Sequence, residues 1–276
     1  MEPSPYEQRV LREIHEWHHQ KPSWLRQKIR GIHQPLKTLS RKITEIPAVE
    51  WTLGNLVGGL VDCTNEIAQD SSSIEAILKS FQAKGYDVHS KTEIASLDLE
   101  AIDDVLSGLD LRYQSLTAVH GAVSGFAGFP GLVADIIALV GLNLRATGQI
   151  ALCCGYDIRL PSEREYALHI LNIASQIDPK ENQKAYALAK QHTRSAIEQA
   201  TVGIALRGSA RLLGLRLLQL KMAQVIPIVA IVAAGGFNAY YTSRVCETAR
   251  HLYRERRLIE KYSESIVHNE IITRGF

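Results

Sequence analysis

The pattern His-Glu-x-x-His, formed by His15, Glu16 and His19, is the residue set whose spacing most directly indicates catalysis. In zinc hydrolases this spacing places two imidazole ligands one helical turn apart and makes the glutamate a general base. Here the pattern lies in a highly charged helix near the start of the chain, with no evident third ligand. A metal-dependent hydrolase is therefore the alternative function, the simpler interpretation is a solvated histidine cluster, and we expect no resident metal or cofactor.

A second chemical feature is Asp135, which follows a stretch without Asp, Glu, Lys or Arg at residues 113–134. A buried carboxylate must be hydrogen-bonded, paired or protonated, because an isolated charge is costly in an apolar core. Arg145 lies on the same predicted helix, about 80° around and ~15 Å along the axis, too far away to pair. Partners are therefore expected on the C-terminal helix, at Asn238 or Arg244. These residues either form a pocket for a ligand headgroup or, more simply, a buried ion pair that fixes helix register.

The composition excludes several other classes of function. The net charge is only +2, unlike the strongly basic domains that bind nucleic acids. Four cysteines do not make a disulfide framework in 276 residues, which favours a reducing compartment, and Cys153 and Cys154 are expected to be packing residues. We find no secretory signal, phosphate-binding loop or nucleophile elbow. The mixed charges at residues 250–260 predict a solvated helix face.

The elements that must position these residues are predicted to be helices. Ser4 and Glu7 have the spacing of a capping box, and Gly85 and Gly155 stand where helices should end. Apolar residues recur at spacings of three and four, and no stretch alternates with a period of two. The sequence thus predicts an all-α, compact multi-helix bundle of about eight to ten helices, without a sheet, in one domain over residues 1–276.

The segment at residues 21–43 is basic and amphipathic. It holds seven lysines and arginines and no acidic residue, with apolar residues at spacings of three and four. Such a segment suits an anionic membrane surface, to which each cation adds on the order of 1 kcal/mol. The alternative is a core-packed helix with a cationic outer face. The residues expected at the membrane surface are Trp24, Arg26, Arg30, Lys37 and Arg41.

Two stretches, 113–134 and 222–243, are uncharged and long enough to cross a bilayer, which needs ~20 apolar residues. Prolines and polar side chains interrupt both, so we expect buried core hairpins, with the core helices at 113–155 and 222–262. Small residues at helical spacing predict that two helices cross with their backbones in close contact. The glycines expected at that crossing are Gly121, Gly125, Gly235 and Gly236.

Three blocks of the sequence carry a family resemblance. They are YEQRVLREIHEW at 6–17, GFAGFPGLVADIIALVGLNLRATGQIALCCGYD at 125–157 and IPIVAIVAAGGFNAYYTSRVCETARHLYRERRL at 226–258. In this order and spacing they resemble the EcsC family of bacterial membrane-associated proteins. The resemblance implies a helical protein that works on the cytosolic side of a membrane, with an ABC-type transporter as a candidate associate. The positions singled out by family analogy are Gly128, Pro130, Gly131, Asp135, Asn143, Arg145, Asn238 and Arg244.

We therefore expect a non-enzymatic, cytoplasmic protein that is peripheral on the inner face of the cell membrane. Its partner would be the membrane surface or a membrane protein complex such as a transporter component, and its ligand would be lipid-like or a partner helix, with no role for nucleic acid. A purely structural subunit that recognises a transporter component is a further alternative. The residues expected to bind the ligand are Asp135, Asn143, Arg145, Asn238 and Arg244.

Overall fold

The computed structural model describes residues 2–19, 47–69, 72–107, 112–113, 115–116, 128–176, 179–194, 199–223 and 236–267. Over these residues the chain forms helices and no strand, which confirms the predicted all-α class. In chain order the helices are α1 (Pro5–His19), α2 (Pro47–Gln69), α3 (Ser72–Ala83), α4 (Lys91–Ser96), α5 (Leu99–Leu106), α6 (Gly128–Cys153), α7 (Pro161–Ser175), α8 (Pro179–Arg194), α9 (Gln199–Ala223) and α10 (Gly236–Tyr262).

Local sequence signals set several of the helix ends. At the start of α1 the backbone N–H of Glu7 donates to Ser4 Oγ at 3.2 Å. The backbone N–H of Ser4 donates to the Glu7 carboxylate at 2.8 Å, which completes the predicted capping box. Gly85, after α3, and Gly155, after α6, both have φ of +88°, a conformation that side chains with a Cβ atom rarely adopt.

Helix α6 is central, and α2, α7, α9 and α10 all pack against it. Asp135 of α6 lies beside Asn238 of α10, and the carbonyl of Cys154 accepts a hydrogen bond from Arg257. In both pairs the two partners are 103 residues apart in the sequence, so α6 and α10 run parallel in a constant register. The last turn of α9 meets the first turns of α6 through Lys221, so α9 runs in the opposite direction.

The buried apolar side chains form layers along this parallel pair. One cluster joins residues 136–144 of α6 and 237–245 of α10 to α2, α7 and α9. The next joins residues 146–153 of α6 and 246–253 of α10 to helices that include α3, α5 and α7. A third cluster packs α1 against the end of α10. Helices α6 and α10 thus both contribute to the two larger clusters.

Glycine permits close helix packing at two positions other than those predicted from the sequence. A Cβ atom added at Gly59 of α2 would lie 2.5 Å from Cδ1 of Ile137 on α6. One added at Gly214 of α9 would lie 3.1 Å from Cδ2 of Leu56 on α2. Helix α2 therefore packs closely against α6 at Gly59 and against α9 at Gly214. Three glycines of the predicted crossing lie outside the described residues: Gly121, Gly125 and Gly235.

The predicted membrane-surface segment lies outside the described residues, and its membrane contact stays a prediction. The residues concerned are Trp24, Arg26, Arg30, Lys37 and Arg41. Within the described residues one helical stretch, Gly131–Cys153, is long and apolar enough to cross a membrane, with a mean hydropathy of 1.5. About two-thirds of it (67%) is buried inside the protein, and the core helix of a bundle passes the same test.

Candidate functional site

Three polar side chains meet in the interior where α6, α9 and α10 converge. Asp135, Lys221 and Asn238 are only 7%, 7% and 3% exposed. The Lys221 ammonium donates to one oxygen of the Asp135 carboxylate and to Asn238 Oδ1, the latter at 2.7 Å. The Asn238 amide nitrogen lies 3.4 Å from the other Asp135 oxygen. Burial lowers the pKa of Lys221, and the contact with Asp135 opposes that shift. The three side chains therefore form a buried ion pair in which the Asn238 amide contacts both charged groups.

The structure brings only two of the five predicted ligand-binding residues together, Asp135 and Asn238. Asn143 is fully buried two turns further along α6, where its amide donates to the carbonyl of Leu139 at 2.8 Å. Arg145 is exposed on another side of the same helix. Arg244, which was a candidate partner for Asp135, instead pairs with Glu247 at 2.7 Å on its own helix. The five residues therefore do not form one pocket.

Arg145 instead stands at one end of a groove between α2 and α6, with a volume of about 430 Å³. The α6 side of the groove is an apolar stripe at helical spacing, and the α2 side adds one carboxylate, Glu66. Burial, followed by the nearby acidic side chains, raises the pKa of the Cys63 thiol to about 11, so this thiol stays protonated. The groove is lined by Cys63, Glu66, Ile67, Ala134, Ile137, Ala138, Gly141, Leu142 and Arg145.

Comparison with known proteins places this arrangement in a family. The model of the EcsC protein family matches residues 8–258. The chain belongs to the EcsC protein family. Two Bacillus subtilis (strain 168) relatives also match: the uncharacterized protein YdbA is 24% identical over 263 residues, covering 92% of this chain and 94% of its own. Protein EcsC is 20% identical over 195 residues, covering 70% of this chain and 80% of its own. No solved structure matches.

The part of the chain that matches the EcsC family also contains another buried charge, at a position that was not predicted from the sequence. Glu255 of α10 is 3% exposed, although the run of mixed charges around it was predicted to be solvated. It lies 3.2 Å from His18 Nε2, accepts from the Tyr186 hydroxyl at 2.6 Å and pairs with Lys190 at 3.2 Å. Burial by itself raises the pKa of Glu255, but the hydrogen bond and charge of His18, with Lys190 and Tyr186, lower it to about 2.

Two neighbouring arginines of α10 also pair with other helices, although this part of the chain was predicted to be a solvated helix face. Arg254 pairs with Asp103 of α5 at 2.8 Å, and both side chains are largely buried. Arg256 pairs with Glu163 of α7 at 2.8 Å. These contacts tie α10 to α5 and α7, so the charged end of α10 is an interhelical interface. The signal was available in the sequence, because Glu255 lies three residues from each of two buried apolar positions, Leu252 and Leu258.

The His-Glu-x-x-His pattern also lies within the EcsC match, and its geometry is that of an ordinary surface helix. The rings of His15 and His19 are 4.2 Å apart, and His19 Nδ1 contacts the carbonyl of His15 at 2.8 Å. Glu16 is exposed, and the adjacent His18 is turned towards Glu255. In the part of the chain that the structure describes, no three His, Cys, Asp or Glu side chains come close enough to hold a metal ion.

Proposed function

We propose that this EcsC-family chain is a non-enzymatic, cytoplasmic protein that associates peripherally with the inner face of the cell membrane. Its groove between α2 and α6 binds a lipid-like molecule or an apolar helix of a membrane protein. The observation that carries the proposal is the groove itself, which has an apolar floor and ends in the exposed cation of Arg145.

The groove has the chemistry of an amphiphile site. Along α6 its lining runs from Ala134 to Arg145, which is about 16 Å of helix. An apolar floor of this kind favours a hydrocarbon chain or the apolar face of a helix, because burial removes apolar surface from water. A guanidinium at one end favours an anionic group, since Arg binds phosphate and carboxylate oxygens in a bidentate manner.

The resemblance to the EcsC family supports the choice of a membrane as the working environment. It also makes a component of an ABC-type transporter a candidate associate, and a transmembrane or juxtamembrane helix of that component is the alternative occupant of the groove. Both occupants share one chemistry, an apolar body with a negative end near Arg145. We favour the lipid-like occupant because an amphiphile with one anionic group needs only an apolar floor and one cation.

The test fills the groove and removes its cation separately. We expect a fluorescent anionic lysophospholipid to bind the wild-type chain, and to bind poorly after Ala138→Phe, which blocks the floor, or Arg145→Gln, which removes the charge. Ala187→Phe, at an exposed alanine of α8, is the matched control and should bind normally. Equal binding by the Ala138→Phe and wild-type proteins would refute the groove as the site, as would no binding by the wild type.

A further inference from the structure

The outer face of α9 displays an unusual amount of apolar surface. Ile204 is 77% exposed and Leu212 is 62% exposed, the two highest values among the large apolar side chains of the described residues. Arg207, Gly208 and Arg211 share their side of the helix at spacings of three and four, and all three are exposed. A Cβ atom added at Gly208 would meet no atom within 4 Å, so the face is open there.

The charge of this face has one sign. Helix α9 contains no acidic residue over its whole length, Gln199–Ala223. Within the described part of the chain, neither Arg207 nor Arg211 makes an ion pair. The opposite face of α9 is fixed in the core through Ala210, Leu213 and Leu217, so the outer face has a defined orientation. The exposed surface is thus a rigid strip of two aliphatic side chains and two uncompensated cations.

We infer that this α9 face, defined by Ile204, Arg207, Gly208, Arg211 and Leu212, lies against an anionic phospholipid surface. The inference rests on the membrane association proposed above and assigns it to a surface separate from the groove. Guanidinium groups bind phosphate oxygens of headgroups, while aliphatic side chains between them enter the region where headgroups meet acyl chains. The strip lies along the exposed face of a single helix, which fits a planar membrane better than it fits a pocket.

An acidic protein would satisfy the two cations equally well, but the apolar residues favour the bilayer. Ile and Leu are not the aromatic anchors that dominate protein–protein binding energy, whereas they are common on the membrane-facing side of interfacial helices. Contact with lipid also requires no matching pocket for Ile204. The acidic-protein alternative is therefore left to the experiment.

The first experiment measures partitioning of the full chain onto phosphatidylglycerol-containing vesicles at low salt. We expect Arg207→Gln with Arg211→Gln to weaken partitioning by on the order of fivefold for each arginine. Arg12→Gln, which removes an exposed cation from α1, should change it by less. Wild-type partitioning that the α9 variants retain in full would overturn the inference and leave the proposed membrane association standing; no wild-type partitioning would overturn both.

The second experiment asks whether α9 itself enters the lipid. All four native cysteines are buried, so Ile204→Cys provides one exposed thiol for an environment-sensitive fluorophore. We expect a blue shift on phosphatidylglycerol vesicles and none on vesicles of neutral lipid alone. Leu160→Cys is the control, because Leu160 is 52% exposed and lies outside α9. A blue shift at both positions, or at neither, would overturn the inference. A blue shift at residue 204 that appears with an acidic protein in the absence of lipid would do the same.

Discussion

Replacing Lys221 by methionine should destabilise the protein far more than the same change at the surface. The substitution keeps most of the side-chain volume and removes the ammonium. Of the three side chains in the cluster, the Asn238 amide then remains as the partner of the buried Asp135 carboxylate. The side chains of the pair are 6% and 8% exposed. Removing one partner of a buried ion pair costs about 3–5 kcal/mol, because the remaining carboxylate loses its interaction with the ammonium.

The chain provides a matched control for this change. Lys84 and Asp104 form an ion pair at 2.9 Å whose side chains are 45% and 43% exposed. An exposed pair contributes only about 0–1 kcal/mol, so Lys84→Met should leave stability nearly unchanged. Asp135→Asn combined with Lys221→Met removes both charges and leaves two amides that can hydrogen-bond. That double variant should be more stable than Lys221→Met alone.

The measurement is equilibrium unfolding in urea, monitored by circular dichroism, for the wild type and four variants: Lys221→Met, Asp135→Asn, the double variant that combines them, and Lys84→Met. A shift in midpoint at constant m-value reports the change in the free energy of unfolding. The double-mutant cycle then gives the coupling between the two charges. If Lys221→Met costs no more than Lys84→Met, or if the double variant is as unstable as the sum of its single changes, the ion pair does not stabilise the contact between α6 and α9.

Three further outcomes follow from the structure. The pKa of Glu255 is lowered from its ordinary 4.5 to about 2, so the free energy of unfolding should decrease by about 3 kcal/mol as the pH falls from 4.5 towards 2, because the unfolded chain takes up the proton first. Urea titrations at successive pH values should show that Glu255→Gln lacks this part of the dependence. Gly155→Ala should lower the melting temperature more than Gly85→Ala, since both share φ of +88° but only at residue 155 would the new Cβ lie 3.1 Å from Ala95 Cα. Elemental analysis should find no more zinc in the wild type than in His15→Ala, and a loss of bound zinc on that change would revive the hydrolase alternative.

The sequence predicted the need for a partner at Asp135, but it identified only half of the answer. A carboxylate within an apolar helix must be compensated, and Asn238 was one of the two candidates named. Lys221 was missed, although it follows Leu213 and Leu217 at intervals of four and therefore lies on their buried side. Periodicity shows which face of a helix is buried, and applying it to cations as well as to apolar residues would have found this lysine.

The choice of partner could not be predicted in the same way. A helical stripe defines the buried face of one helix, while an ion pair depends on which second helix lies opposite and in what register. Glu255 shows this, since its contacts come from His18 on α1 and from Tyr186 and Lys190 on α8, far apart in the sequence. Arg145 shows a related limit. Its angle to Asp135 around the helix axis could be calculated from the sequence, but which of the two residues faces the solvent could not.

The two interpretations of Asp135, ligand pocket and helix register, are connected through the rotation of α6. Each residue turns a helix by about 100°, so a slip of one residue would carry Ala138 and Arg145 away from α2. Lys221 and Asn238 hold Asp135 from α9 and α10 and thereby fix the rotation at which the groove lining faces α2. Asp135 therefore supports the groove without touching its occupant. Lys221→Met should accordingly weaken both stability and lysophospholipid binding, whereas Arg145→Gln should weaken binding and leave the unfolding midpoint unchanged.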